Sequence, residues 1–312
     1  MAAYELAIQN FAVAEHLLQL YELFHGIREV APDEEMRLAV CRRLRLPENA
    51  AIRHAENEQM VMCARATAPI PQALLIDGGI AFLLRQTVIA ACTSLESFFW
   101  DSLRENVLTI VRARRRGADK SLRDLTLTLD DYLSMENYAD PDERLRQIIL
   151  KNFERRTLYD SESIEKIASV LTVRGFWDEA GKRCGRIARD LRRELDELIT
   201  RRNQIAHRAD RPESGEEQDE HGLRMIHSAW VRTRLATARS LVDASNVIFT
   251  ETIRAMQDQL ARNQEQQLAK QTLQPAATFT APLQAVPVAP TLEPIPAPIA
   301  PAPGPAAGES SP

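Results

Sequence analysis

Aromatic residues make up only 5% of this 312-residue chain, and strand-length runs of Val, Ile, Thr and Tyr are nearly absent. Strands draw on β-branched and aromatic side chains, so these shortages point to an all-α protein. Lysine is scarce as well: five of the 39 basic residues are Lys and thirty-four are Arg. That skew suits bidentate contacts to anions, although an Arg-rich codon bias is the simpler explanation of it. A net charge of −5 offers no global attraction to nucleic acid or anionic membrane and leaves only a local basic surface. The four cysteines, Cys41, Cys63, Cys92 and Cys184, include no close pair and no Cys/His cluster at metal spacing, so they read as buried thiols in a reducing cytoplasm. The start, MAAYELAIQNFAVAEHLL, has no basic residues ahead of an apolar block and does not read as a signal peptide. The longest apolar stretch, Gly79 to Trp100, is broken by Arg85, Gln86 and Glu96, which argues against a membrane span. A Gly-rich phosphate loop, HExxH, GxSxG and zinc-finger spacings are all missing, which disfavours the common nucleotide-, serine- and zinc-dependent chemistries.

What is present is helical periodicity over a length that can bury a sizeable core. Residues 3–29 predict a helix ending near Pro32, Asp33 caps a second that Pro47 stops, and Ala50 to Ala66 predicts a third, weak one. His16, His25 and His54 fall in this part and are given no chemical role. A long central helix is expected from Asp77 to Arg114, with Phe82, Leu83, Val88, Cys92, Phe98 and Phe99 among its inward residues. Its basic end, Arg112, Arg114, Arg115 and Arg116, is explained by the helix dipole, and Gly117 and Asp119 follow it. Further helices are predicted within 122–136, from Asp140 as N-cap with Pro141 as first residue, and from Ser161 or Ser163 to Gly175. Trp177 to Cys184 looks irregular.

From Ile187 to Ile205 an amphipathic helix carries Leu191, Leu195, Leu198, Ile199 and Arg202 on one stripe. Residues 209–222, with a Pro, two Gly and six acidic residues, read as a solvated loop, and a last long helix runs from Leu223 to about Gln267. Eleven of the seventeen prolines lie between Pro275 and Pro312, a composition that favours an extended, disordered tail. The expected organisation is therefore an N-terminal helical extension over 1–70, an up-and-down helical bundle over 74–256, a polar helix end over 257–270, and a disordered Pro/Ala-rich tail over 271–312.

The chemistry-bearing stretch is LDELITRRNQIAHRADR, Leu195 to Arg211. Arg202 stands on a face expected to be buried, where a guanidinium needs a partner or an anionic ligand, and His207 stands where the helix yields to a loop. A neutral imidazole can take a proton from a ribose 2′-hydroxyl while an Arg stabilises the charge gathering on the phosphorus, with no metal or other cofactor needed. Five residues of ideal helix rotate by about 140°, however, so the two side chains diverge. Either the helix bends after Asn203 or a second subunit completes the site. In the alternative reading Arg202 pairs with Glu96 or Glu194, Asn203 caps the helix end, and His207 is an ordinary surface residue.

RRNQIAHRADR resembles the Arg–His motif of the HEPN superfamily. LLRQTVIAACTSLESFFWDSLREN, with its Leu95, Glu96, Phe98 step, resembles the long second helix of the RiboL-PSP and MAE-type HEPN groups, and IHSAWVRTRLATARSLVDASNVIF suits their closing helix. The resemblance, over about 74–256, implies a homodimeric bundle with two motifs facing each other. It also implies a metal-independent endoribonuclease of a defence, toxin or stress system, acting on RNA, tRNA among the candidates, beside an antitoxin or other defence partner. On it, Arg202 is the phosphate and transition-state stabiliser, His207 the general base or acid, Asn203 the polar orienting residue and Glu96 a candidate orienting carboxylate. Ala209 stands where the best-marked toxin version has Tyr, which weakens the match to a nucleotidyltransferase antitoxin. Some HEPN domains bind without cutting.

Overall fold

The structure, a computed structural model, describes residues 2–68, 70–76, 78–114, 128–154, 160–219 and 221–272. The expectations for Arg115, Arg116, Gly117, Asp119 and the Pro/Ala-rich tail beyond Thr272 lie outside the described residues, as does Asp77. The chain divides into two compact units, residues 1–265 and 266–312, and the first of them holds the helical core and the motif.

Helix α1 (Ala2–Phe24) buries Ala3, Ala7, Phe11, Ala14, Leu18 and Tyr21, a stripe rich in small side chains that lets another helix approach closely. Strand β1 (Arg28–Val30) comes next. Helix α2 (Glu34–Leu44) starts where Asp33 accepts a hydrogen bond from the Met36 N–H at 2.6 Å, as its sequence predicts.

Residues 50–66 overturn an expectation. They form strands β2 (Ile52–Glu56) and β3 (Val61–Arg65), which with β1 make a three-stranded antiparallel sheet in the order β1-β2-β3. Asn57 closes the hairpin: its side-chain oxygen accepts from the Gln59 and Met60 N–H groups, and its amide donates to the Leu23 and His25 carbonyls. Asn side chains stabilise such turns at the expense of helix. The strand pattern is hard to read because His54 and Ala55, neighbours on opposite faces, are both buried.

A short helix α3 (Gln72–Leu75) leads into α4 (Ala81–Arg114), the 34-residue centre of the bundle. Leu84, Val88, Cys92, Leu95, Phe99 and Leu103 are all at most 1% exposed. One expected inward residue is not: Phe82 lies 52% exposed, on the solvent face it shares with Gln86 and Thr93, while Ala81 in the same turn is buried. Helix α1 shares this core, its Phe11 and Leu18 clustering with Leu84 and Val88.

Helix α5 (Leu129–Glu136) opens with a capping box between Thr128 and Asp131. Helix α6 (Pro141–Glu154) starts on Asp140, whose Oδ1 accepts from the Asp142 and Glu143 N–H groups at 3.0 and 3.1 Å. Helix α7 (Ser161–Val170) is capped by Asp160, not by either serine. The Ser161 hydroxyl and N–H instead donate to Asp196 at 2.8 Å each, tying α7 to a later helix. Gly175, expected to end α7, adopts φ +62° and starts α8 (Phe176–Arg183), so Trp177 to Cys184 is largely helical. Helix α9 (Ala188–Arg208) begins so close behind that a Cβ on Gly181 would lie 2.8 Å from the Arg186 carbonyl oxygen. Helix α10 (Ser228–Thr272) closes the bundle. Phe98 and Phe99 of α4, Phe176 of α8 and Phe249 of α10 meet with ring centroids 5.2–6.1 Å apart, so the few aromatics are concentrated where three helices converge.

The segment after α9 is not simply solvated. Ala209 and Asp210 both take left-handed φ, 51° and 54°, which costs about 1–2 kcal/mol per non-glycine residue. Asp210 is 1% exposed, and its Oδ2 accepts from Arg85 Nε at 2.5 Å and Arg201 Nη2 at 2.9 Å. Arg85 also donates to Asp219 at 2.7 Å, and both arginines donate to the Arg224 carbonyl at 3.0 Å. Two carboxylates of the acidic loop are thereby buried against α4 and α9.

Asp210→Ala leaves the buried Arg201 without a carboxylate and Arg85 with Asp219 alone, and should cost about 3–5 kcal/mol in urea unfolding at pH 7, whereas Ala209→Gly relieves backbone strain and should stabilise by roughly 1 kcal/mol. Burial alone would raise the Asp219 carboxyl, but hydrogen bonds from the Leu223 N–H, Arg85 and the His221 N–H outweigh it and hold the group below its ordinary 3.8. A depressed folded-state value means stability that is complete above the unfolded value and lost as pH falls through the folded one. Asp219→Asn should therefore lower stability at pH 7 and shrink the loss seen on acidification below about pH 4.

Candidate functional site

Helix α9 runs unbroken as α-helix through Arg208, ending at the left-handed Ala209, whose N–H bonds to the Gln204 carbonyl. Of the two alternatives, a bend after Asn203 or completion by a second subunit, the first finds no break in the helix here, so Arg202 and His207 keep the helical divergence of about 140°. Its buried face holds Leu191, Glu194, Leu195, Leu198, Ile199 and Arg201. The tandem arginines thus split their roles. Arg201 is 7% exposed, and its Nη2 donates to Asp210 and to the Arg224 and Met225 carbonyls. Burial pulls its pKa down, against the opposing pull of Asp210.

Arg202 sits at the rim. Its side chain is 18% exposed, and its Nη2 lies 3.1 Å from the Glu96 carboxylate of α4. Its Nη1 donates to Asn203 Oδ1 at 3.0 Å. Asn203 therefore touches Arg202, and the helix end, five residues further on, is closed by Ala209 instead. Of the two carboxylates considered as partners for Arg202, Glu194 is taken elsewhere: Arg186, Arg234 at 2.7 Å and Thr237 at 2.9 Å hold it. Burial pushes the Glu96 carboxyl up, and the Arg202 charge only partly offsets this. Cys92, one turn earlier on α4, is pushed up to about 12 by burial and the Glu96 charge, with Arg202 opposing, so its thiol is a packing group rather than a nucleophile.

His207 lies in the last turn of α9, exposed, and makes no hydrogen bond or ion pair among the described residues. The result is a half-buried, pre-oriented guanidinium on one face of the helix end and an open imidazole on another. Such a guanidinium can bind a phosphate, and an exposed imidazole can exchange a proton. A single copy does not bring the two onto one substrate atom. Among the described residues, no three His, Cys, Asp or Glu side chains gather as a metal site, and no helix is long and apolar enough to cross a membrane.

Sequence reasoning missed Arg201, Arg85, Asp210 and Asp219. The one available signal was the Arg201–Arg202 pair itself, since adjacent residues on a helix point about 100° apart and cannot both face α4 in the same way.

No curated protein and no solved structure matches the chain. The family model described as RiboL-PSP-HEPN matches residues 68–223, half of the 312 residues, and the matched span contains α4, α9 and all of Glu96, Arg202, Asn203 and His207. The chain belongs to the RiboL-PSP-HEPN family.

Proposed function

We propose that the protein is a metal-independent endoribonuclease that works as a homodimer, with the α9 ends of two copies facing one RNA strand. The observation that carries this reading is the pairing of Arg202 with Glu96 and Asn203 beside the exposed His207 on the same helix end. A neutral His207 takes the proton of a ribose 2′-hydroxyl, and the 2′-oxygen attacks the adjacent phosphorus. The P–O5′ bond breaks, the 5′-oxygen takes up a proton from a protonated imidazole, and the products are a 2′,3′-cyclic phosphate and a 5′-hydroxyl. Arg202 stabilises the charge on the non-bridging oxygens. Glu96 and Asn203 each occupy one edge of its guanidinium, leaving further N–H donors for phosphate. The divergence of Arg202 and His207 in one copy is the reason for invoking a second, which supplies the complementary group.

We place this activity in the cytoplasm, in a defence or toxin-like stress system where a partner protein restrains it, with tRNA among the substrates. A second reading, a non-catalytic dimer that holds RNA or a protein, is favoured by the same Glu96–Arg202 pair, because an arginine neutralised by a neighbour can serve structure alone.

Incubating the purified protein with labelled tRNA and total RNA, then examining 3′ ends for cyclic phosphate, separates the two. His207→Ala should slow cleavage by about 10²–10⁴-fold and Arg202→Ala by about 10²–10³-fold, with fold and dimer retained and EDTA without effect. Cleavage that persists in both variants, or that requires added magnesium, refutes the mechanism, and binding without any cleavage selects the second reading.

A further inference from the structure

Away from the Glu96–Arg202 contact, a groove of about 740 Å³ runs between α9 and the segment entering α10. Arg189, Arg193, Thr200 and Gln204 line its α9 side, and Arg224, His227 and Trp230 lie opposite. Helix geometry connects this groove to the motif. Seven residues turn an α-helix to within about 20° of the starting direction, so His207 continues the stripe of Thr200 and Gln204, whereas Arg202, two residues on from Thr200, points about 160° away. His207 lies beyond the lining residues and continues their α9 stripe by one further turn, whereas the Arg202 guanidinium faces α4.

The groove's charges are unevenly committed. Its lining holds five arginines against two carboxylates, Asp196 and Glu197. Arg201 is locked by Asp210 at 2.9 Å and Arg224 is held by Glu216 at 2.8 Å. Arg189 and Arg193, by contrast, are 87% and 63% exposed, and the carboxylate oxygens nearest them are 3.6–3.9 Å away. Exposed pairs at such distances contribute little, so these two guanidinium groups can transfer to phosphates at small cost. Facing them are the exposed His227 and the half-buried Trp230, whose ring carries the Arg234 guanidinium 5.6 Å from its centroid and still lines the groove.

We propose that this groove is the track for a single-stranded RNA, with Arg189 and Arg193 on its phosphates and a base against His227 and Trp230, delivering the strand to His207. This rests on the ribonuclease reading and names its substrate as an unpaired strand. A-form duplex buries its base faces in the stack, and only an unpaired strand offers phosphates to arginines and base faces to rings together. An acidic peptide would use the arginines and leave the rings idle.

The test is fluorescence anisotropy with a 5′-fluorescein-labelled 20-nucleotide single-stranded RNA. It is made in the His207→Ala background, so that cleavage does not intervene, across a salt series. Arg189→Ala with Arg193→Ala should weaken binding by about tenfold and lower the slope of log affinity against log salt by about 1.4, for two phosphate contacts on a single strand. His227→Ala should weaken binding severalfold and leave the slope unchanged, because stacking releases no counterions. All three side chains are exposed, so the fold is not at stake, and Trp230 is spared because it packs on the core. Unchanged affinity and slope in the arginine variant overturn the track. So does equal binding of a duplex of the same sequence, or competition by a polyglutamate peptide as effective as that by the RNA. The chemistry is read separately, from cleavage by the protein carrying His207 against His207→Ala: loss of cleavage with intact binding in the groove variants sinks the track alone, and weakened binding with cleavage surviving His207→Ala sinks the mechanism alone.

Discussion

One carboxylate, that of Asp210, decides where α9 stops. It is 1% exposed and accepts from Arg85 and Arg201, so the chain must turn sharply inward straight after Arg208. Two consecutive non-glycine residues take left-handed backbone to make that turn. Neither the burial nor the strain would be tolerated without two guanidinium groups waiting, because an unpaired buried charge costs far more than either residue's backbone conformation. The last turn of α9, with His207 in it, is held in place by this contact rather than by packing of its own exposed face.

The same contact sorts the two arginines of α9. Arg201 is consumed by Asp210 and by backbone carbonyls, which leaves Arg202 as the guanidinium at the rim, steadied by Glu96 and Asn203. α4 serves both: Arg85 near its start meets the loop after α9, and Glu96, eleven residues on, meets α9 itself. Eleven residues are close to three full turns, so the two side chains lie along one face of α4. Cys92 lies between them on that face, against the Leu198 carbonyl of α9, while Leu84, Val88, Leu95 and Phe99 beside it fill the core, and the phenylalanine cluster with Phe176 and Phe249 packs α4 against α8 and α10. The polar contacts are precise because the apolar ones leave α4 no freedom to roll.

α9 accordingly presents distinct faces: an apolar one to the core, Arg202 toward α4, and a stripe through Thr200 and Gln204 along an arginine-lined groove. A net charge of −5 hides this arrangement. Several acidic residues of 209–222 are spent neutralising Arg85, Arg201 and Arg224, which leaves the looser Arg189 and Arg193 as the available cations on that side.

Much of the helical fold is legible in the sequence because helix formation is governed by neighbours three and four residues away. The wide apolar stripe of α4, the Asp33 cap, the Asp140–Pro141 start and the amphipathic α9 are all local patterns, and they appear in the structure. The failures differ in cause, one distant in sequence and one local. The 50–66 hairpin depends on one Asn side chain satisfying the Leu23 and His25 carbonyls, and α8 depends on Gly175 opening a helix rather than closing one. By itself the sequence also determined the Arg–His spacing and, together with the helix around Glu96, the resemblance to the family whose model matches residues 68–223. Only the tertiary structure decided which of two adjacent arginines stands at the rim, that Glu96 and not Glu194 meets it, and that Asp210 and Asp219 are buried. Those outcomes join residues between 9 and 134 positions apart, and a charge shows no local sign of which distant partner will repay its removal from water.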